Sequence, residues 1–230
     1  MTDIDSMCYL CGCPLLDADS DDHVPPKCFF GSSIRKKHGP NLLTLKVHAQ
    51  CNASYKDDEE YFMNSIAPLA IGSYSANSVW QDLKKGYLRP QGKRLGEMVL
   101  REYDLRPGGL VLPFNKVAKR FDGQRVRRVL WKITRGLFFH EYSSYLPENL
   151  PRNIELVSVG EKPPEQYASV ADAPTKGLYP AVFDYRYREF PEFHFHVWAF
   201  LLWDKIITII MFHDPACDCD DCTARRQDAG

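Results

Sequence analysis

Two short pairs of metal-ligand residues constrain the N-terminal part of this chain more than any other feature. Cys8 and Cys11 are separated by two residues, as are His48 and Cys51, and the two pairs lie about forty residues apart. Four such ligands suit one tetrahedral zinc site, which would tie the two segments together. Cys13 and Cys28 are alternatives for one ligand. The competing interpretation is that the cysteines are ordinary buried residues and that the histidine is exposed at the end of a strand.

A second group of residues has the composition of a hydrolytic centre. Asp22 and His23 are adjacent, and Asn52 directly follows Cys51. Hydrolysis of a phosphodiester needs an activated water, a divalent cation that neutralises charge on the scissile phosphate, and usually a positioned base. An imidazole that is neutral near physiological pH makes His23 a candidate base, while Asp22 and Asn52 offer oxygen ligands for Mg²⁺ or Mn²⁺. A zinc ion on His48 and Cys51 would fix the start of the helix that carries Asn52.

The order of these motifs resembles that of the HNH nuclease family, which has a ββα-metal fold. The resemblance covers roughly residues 5–70, and four motifs carry it: Cys8-x-x-Cys11, Asp22-His23-Val24-Pro25, Asn41-Leu42-Leu43 and His48-x-x-Cys51-Asn52. His48 stands where the family usually has a cysteine, which is a change that zinc accepts.

The resemblance implies a role for each of these residues. Asp22 and Asn52 would hold the catalytic cation, and His23 would be the general base. Asn41 would brace the loop that orients this base, and Lys56, one helical turn beyond Asn52, would contact a phosphate. Without the family, the acid and the imidazole are interpreted as a cap and a solvated histidine, and Asn41 belongs to an ordinary turn.

Basic residues further along the chain predict contact with a nucleic-acid backbone. The segment Asp122–His140 is predicted to be an amphipathic helix with one apolar face and one basic face. The predicted DNA-binding residues are Arg125, Arg128, Lys132 and Arg135 on this helix, and Arg35, Lys36 and Lys37 at the tip of a predicted loop, Lys27–Pro40. Lys116, Lys119 and Arg120 add to the same charge. Each neutralised phosphate adds affinity that does not depend on sequence. The alternative is a basic helix face that is simply solvated.

The remaining pattern predicts the α+β class, with an HNH-like ββα-metal domain at residues 1–70 and an α+β accessory domain at residues 71–230. Alternating apolar residues predict strands at Leu42–Val47, Leu110–Phe114, Asn153–Val159 and Ala181–Arg188, and a hairpin of Phe193–Leu202 with Ile206–Phe212. Helices are predicted at Cys51–Ala67 and, more weakly, within Val79–Tyr103. Residues 160–179 are predicted to form a polar loop.

Composition sets the expected compartment. Hydrophobic residues make up 44% of the 230 residues, charged residues 26%, and the net charge is −1. The first residues lack an apolar run, and Asp204 and Lys205 interrupt the most apolar segment, so we expect neither an export signal nor a membrane span. Eight cysteines in such a chain indicate reduced thiols and a cytoplasmic location. Whether His213, Cys217, Cys219 and Cys222 bind a second zinc, or belong to a flexible acidic tail, is left open by the sequence.

The sequence therefore predicts a metal-dependent endonuclease that hydrolyses DNA, most readily double-stranded, with structural zinc and catalytic Mg²⁺ or Mn²⁺. The resemblance makes a role in restriction or phage defence plausible, with a homo-oligomer or a defence partner. Two alternatives stay open. One is a zinc-dependent module that binds nucleic acid or protein without turnover, and the other is a nuclease directed at RNA.

Overall fold

The computed structural model describes residues 6–15, 19–113, 117–158, 165–179, 181–220 and 222–223, and it is of the α+β class. The helices are α1 Ser32–His38, α2 Ala49–Ala53, α3 Lys56–Ile66, α4 Tyr74–Tyr87, α5 Pro90–Leu100, α6 Gly123–Tyr142 and α7 Glu165–Ala168. The strands are β1 Asp19–Val24, β2 Leu43–His48, β3 Tyr103–Asp104, β4 Ala118–Lys119, β5 Arg152–Ser158, β6 Lys176–Tyr179, β7 Phe183–Phe190, β8 Phe195–Leu202 and β9 Ile206–His213. No helix in these described ranges is both long and apolar enough to cross a membrane.

The N-terminal unit is an antiparallel ribbon of β1 and β2 followed directly by α2 and α3. In the ribbon, Asp22 lies opposite Leu45 and His23 lies opposite Thr44. Successive side chains of a strand point to opposite faces, so Asp22 faces the interior with Val24 while His23 faces outward. The predicted strand at Leu42–Val47 is confirmed, and the predicted helix at Cys51–Ala67 is present as two helical segments.

The predicted loop at Lys27–Pro40 is wrong, because α1 forms inside it. Its first turn is satisfied from a distant helix, since the backbone amide and the hydroxyl of Ser32 each donate to a carboxylate oxygen of Asp82, at 2.6 Å. Gly39 ends the helix in the left-handed region, at φ 49°. A tertiary cap of this kind lies beyond the reach of local sequence patterns.

A five-stranded antiparallel sheet in the order β5-β9-β8-β7-β6 forms the C-terminal part. The predicted strand at Asn153–Val159 is confirmed up to Ser158, and Val159 lies outside the described residues. The predicted strand at Ala181–Arg188 is confirmed as β7, and the predicted hairpin as β8 and β9. Trp203 and Asp204 at the hairpin turn have φ of 51° and 57°, which suits the twist of the two strands that they join. The predicted polar loop at residues 160–179 contains α7 and the edge strand β6 among its described residues, so that prediction is wrong for them.

The predicted strand at Leu110–Phe114 does not form over Leu110–Pro113, while Phe114 lies outside the described residues. Leu110 and Val111 are exposed, so their apolar side chains have no sheet to cover. Strands of this length need a partner to satisfy their backbone groups.

Helix α6 lies between the sheet and the N-terminal unit. Trp131 packs edge-on against Phe212 of β9 on one side, with ring centroids 5.3 Å apart. On the other side, a Cβ at Gly136 would come within 2.7 Å of Val24 of β1, so close approach of helix and ribbon requires glycine here. One apolar cluster joins residues from both predicted domains. The boundary at residue 70 stays a prediction, and this shared core is what fixes the site relative to α6.

Candidate metal centres and catalytic face

The first two ligand pairs converge. The metal-binding atoms of Cys8, Cys11, His48 and Cys51 all lie within 4.8 Å of one another. Cys8 and Cys11 sit in a tight turn closed by the amide of Gly12, which donates to the Cys8 carbonyl at 2.8 Å. His48 ends β2 and Cys51 belongs to α2, so this one cluster ties the turn, the ribbon and the helix together.

The ring of His48 is oriented as a metal ligand. Nδ1 lies 3.2 Å from Sγ of Cys11, and Nε2 lies 3.0 Å from the carbonyl oxygen of Pro14. A carbonyl oxygen only accepts, so Nε2 carries the proton and the lone pair of Nδ1 faces the thiols. Burial, together with the neighbouring Cys8 and Cys11, raises the pKa of Cys51 to about 12. Three cysteine thiols with one histidine nitrogen form a donor set that fits a metal such as zinc, and binding of the metal would favour the thiolate of Cys51.

A second cluster is formed by the last residue of β9 and the segment that follows it. The metal-binding atoms of His213, Cys217, Cys219 and Cys222 also lie within 4.8 Å of one another. Nδ1 of His213 is 3.2 Å from Sγ of Cys217 and 3.5 Å from Sγ of Cys219. Burial and the two neighbouring thiols raise the pKa of Cys222 to about 12. This cluster can also hold a metal such as zinc.

The predicted divalent-cation ligands are already engaged by a side chain of α6. Nζ of Lys132 lies 2.8 Å from Oδ1 of Asp22, 2.6 Å from Oε1 of Glu59 and 3.4 Å from Oδ1 of Asn52. The other carboxylate oxygen of Asp22 accepts a hydrogen bond from the hydroxyl of Tyr9. Lys132 is 1% exposed and Asp22 is 5% exposed. The Mg²⁺ or Mn²⁺ that the family resemblance implies does not fit these oxygens as they are placed.

The surroundings of Lys132 favour its charged form. Burial lowers the pKa of Lys132, but attraction to the carboxylates of Asp22 and Glu59 outweighs it, and the net pKa is raised. Burial raises the pKa of Glu59 despite the attraction of Lys132. The net shifts therefore favour the charged form of Lys132 and the neutral form of Glu59.

The predicted DNA-binding role of Lys132 and Arg135 is wrong, because both side chains are interior. Arg135 is 0% exposed, and its guanidinium donates to the Leu146 carbonyl at 2.8 Å and to the Leu10 carbonyl. These two members of the basic face of α6 point towards α3 and the turn of Cys8 and Cys11 rather than towards solvent. Charged groups at such depth are kept only when they are paired.

The other two predicted residues of that stripe are partly buried ion-pair partners. Arg125 donates from Nε to Asp58 of α3 at 2.6 Å, and Arg128 donates to the other oxygen of the same carboxylate. These pairs clamp α6 to α3 and use part of the charge that was expected to face DNA. Contact of Arg125 and Arg128 with DNA stays a prediction.

His23 is on the opposite face of the ribbon from Asp22, so the adjacent acid and imidazole do not meet in one pocket. Its Nδ1 lies 3.1 Å from Oγ1 of Thr44. The hydroxyl of Thr44 donates to the Leu42 carbonyl at 3.0 Å, so its oxygen is left to accept from His23. His23 therefore carries its proton on Nδ1, and the lone pair of Nε2 is directed away from this bond.

The remaining predicted site residues lie near the ribbon or on the surface. Nδ2 of Asn52 donates to Ser20 and to the Asp21 carbonyl, at 3.3 and 3.4 Å. The Asn41 carbonyl accepts from the hydroxyl of Tyr179 at 2.9 Å, and the described residues include no hydrogen bond of its side chain. Its bracing role stays a prediction. Lys56, Lys36 and Lys37 are exposed and Arg35 is partly buried.

Three site residues were missed from the sequence: Tyr9, Thr44 and Glu59. The sequence contained a signal for Glu59, because the acidic residues at the start of one predicted helix could form ion pairs with the basic face of another. Tyr9 and Thr44 had no such signal apart from their closeness in sequence to the motifs.

Neither a protein-family model, nor a curated protein, nor a solved structure matches the chain.

Proposed function

We propose that this chain is an endonuclease of the HNH type that hydrolyses phosphodiester bonds of DNA, with His23 as its general base. The observation that carries the proposal is the hydrogen-bond relay from His23 through Thr44 to the Leu42 carbonyl. The relay holds the imidazole in the tautomer that a base requires and on the outward face of the ribbon. The tautomer leaves Nε2 as the basic nitrogen.

The reaction follows from that tautomer. Nε2 of His23 takes a proton from a water molecule, and the water oxygen attacks the phosphorus. The bond from phosphorus to the leaving sugar oxygen breaks, and this oxygen takes a proton from solvent. Cys8, Cys11, His48 and Cys51 would hold the zinc, which would supply a fixed crosslink between the turn of Cys8 and Cys11, the end of β2 and α2. That crosslink would keep Thr44 and its neighbours in register with His23.

DNA is the proposed substrate because exposed lysines lie in the connection between the two strands of the ribbon and shortly after its second strand. Lys36 and Lys37 belong to α1, which connects β1 with β2, and Lys56 begins α3. Cations of this kind contact phosphates and add affinity that falls with salt. RNA presents the same phosphates, so the choice of polymer is tested directly below.

A second function is favoured by one specific observation. Both carboxylate oxygens of Asp22 are engaged, by Lys132 and by Tyr9, so the family's cation position is filled by protein. This feature favours a zinc-dependent binding module that has the scaffold without the turnover.

One assay separates these functions. Purified protein is incubated with supercoiled plasmid and, in parallel, with single-stranded and duplex RNA, with and without added Mg²⁺. We expect nicking of the plasmid by the native chain and at least about a hundredfold loss in His23→Ala. Binding without cleavage by the native chain would support the module, and preferential cleavage of RNA would reassign the substrate.

A further inference from the structure

The side chain of Lys132 is buried, which is unusual for a lysine. It leaves the middle of α6 and ends between two carboxylates and an amide that belong to β1, α2 and α3. Its partner Asp22 is 110 residues away in the sequence, and Glu59 is 73 residues away. The buried ammonium therefore connects α6 with three other elements of the fold.

The three acceptors form a cage that matches the hydrogen-bonding capacity of the ammonium. It has three N–H donors, and three oxygens lie within 3.4 Å of Nζ. The face of the Tyr55 ring closes a further side, with its centroid 5.3 Å from Nζ. The second oxygen of Asp22 is occupied by Tyr9. A hexacoordinate cation would need several of these oxygens as ligands, and the ammonium already holds them.

Displacement of the lysine is opposed by the same arrangement. Lys132 is 1% exposed and is anchored on a helix that packs on both sides. An ammonium pushed out of the cage would remain buried without its partners, which is strongly unfavourable. A divalent cation added beside the retained ammonium would bring three positive charges against two carboxylates.

We propose that Lys132 is the resident cation of this centre, and that the oxygens of Asp22, Asn52 and Glu59 are closed to Mg²⁺ and Mn²⁺. The ammonium supplies the positive charge that holds the ribbon, α2 and α3 against α6. Chemistry at His23 then proceeds without a divalent cation on Asp22. The inference rests on the geometry of the cage and does not depend on whether the chain cleaves DNA.

The test measures Mn²⁺ binding on the zinc-loaded full chain, by the electron paramagnetic resonance signal of free Mn²⁺. Lys132→Ala removes the ammonium from the oxygens of Asp22, Asn52 and Glu59. Asp22→Asn, made in the native chain, shows whether any Mn²⁺ that binds there uses the carboxylate of Asp22. Arg127→Ala is the matched control, because it removes an exposed cation from the same helix.

We expect Asp22→Asn to leave Mn²⁺ binding of the native chain unchanged. Lys132→Ala should bind one further Mn²⁺ at least tenfold more tightly than the native chain, and addition of Asp22→Asn to it should abolish that gain. A Mn²⁺ site of the native chain that is lost in Asp22→Asn would overturn the proposal. Unchanged Mn²⁺ affinity in Lys132→Ala would overturn it as well.

If Lys132→Ala does not fold, the comparison of the native chain with Asp22→Asn still decides, and Glu59→Gln serves as the second variant because it keeps Lys132. Cleavage is followed separately. Mg²⁺-dependent nicking that is lost in Asp22→Asn would contradict the resident lysine while supporting the nuclease. Absence of nicking under every condition would remove the nuclease and leave the lysine cage intact.

Discussion

Nδ1 of His23 lies 3.1 Å from Oγ1 of Thr44, across the pair of strands that forms the N-terminal ribbon. The hydroxyl proton of Thr44 is used by the Leu42 carbonyl, so the imidazole must donate in this bond. One threonine thus fixes which nitrogen of the histidine is basic. The residue that orients His23 therefore comes from the opposite strand, and not from the adjacent Asp22.

The relay predicts a difference between two conservative substitutions of Thr44. Thr44→Val removes the acceptor and should lower the rate of plasmid nicking about tenfold or more, because the imidazole loses its preferred tautomer. Thr44→Ser keeps the hydroxyl and should stay within about twofold of the native rate. Equal rates for the two variants would show that the relay does not orient the base.

The first cluster predicts that zinc is needed for folding of the N-terminal unit. Cys51→Ser should remove one equivalent of zinc, measured by inductively coupled plasma mass spectrometry, and lower Tm by roughly 10 °C. Cys13→Ser is the control, since Cys13 is an exposed thiol of the same turn and is outside the cluster. Retention of full zinc content by Cys51→Ser would remove this cysteine from the site.

The second cluster predicts a second equivalent of zinc. The native chain should contain two zinc ions, and Cys219→Ser should lower the content to one without changing zinc at the first cluster. The sequence left this question open because three thiols in an acidic tail have no fixed partner until β9 places His213 beside them. A native content of one zinc that Cys219→Ser leaves unchanged would contradict the prediction.

The ion pairs between α3 and α6 predict a specific dependence of stability on pH. Burial raises the pKa of Asp58, but hydrogen bonds from Arg125 and Arg128 outweigh it, and the net pKa is lowered. A lowered carboxyl pKa stabilises the fold above the ordinary Asp value of about 3.9, and this contribution is lost as the pH falls through the folded pKa. Asp58→Asn should therefore be less stable than the native chain at neutral pH, with the difference shrinking below about pH 4.

Urea unfolding at a series of pH values measures this difference. Glu60→Gln is the matched control, because it neutralises an exposed acid on the same helix and should show a small difference that does not share this dependence. A gap between Asp58→Asn and the native chain that persists unchanged to acid pH would contradict the assignment.

The interior position of Arg135 predicts a structural role. Arg135→Met should lower the free energy of unfolding by about 3 kcal/mol, because the Leu146 and Leu10 carbonyls lose their donors. Arg127→Met, at an exposed position of the same helix, should change it by less than about 0.5 kcal/mol. Equal stability of the two variants would place Arg135 outside the core.

Sequence periodicity predicted α6 well, and it also produced the main error. The apolar spacing placed a helix at Asp122–His140, close to the observed Gly123–Tyr142. Arg125, Arg128, Lys132 and Arg135 share the other face, and a helix alone does not show what covers that face. The covering acids, Asp58 and Glu59, come from α3, and only the tertiary packing brings them there.

The candidate site shows the same division. Ligand spacing was sufficient to predict the cluster of Cys8, Cys11, His48 and Cys51, because two close pairs need few assumptions to converge. Adjacent residues such as Asp22 and His23 were expected to act together, yet strand alternation sends their side chains to opposite faces. Local order in the sequence predicted the cluster of metal-ligand residues and could not predict the partners of Asp22 and His23.

The most direct test of the proposed function is the first-order rate at which supercoiled plasmid is lost with the zinc-loaded chain. The measurement compares the native chain with His23→Ala and with His38→Ala, an exposed histidine that ends α1. The account predicts that His38→Ala nicks at the native rate, and that His23→Ala is slower by at least about a hundredfold at unchanged zinc content and Tm. Equal rates for the native chain and His23→Ala would contradict it.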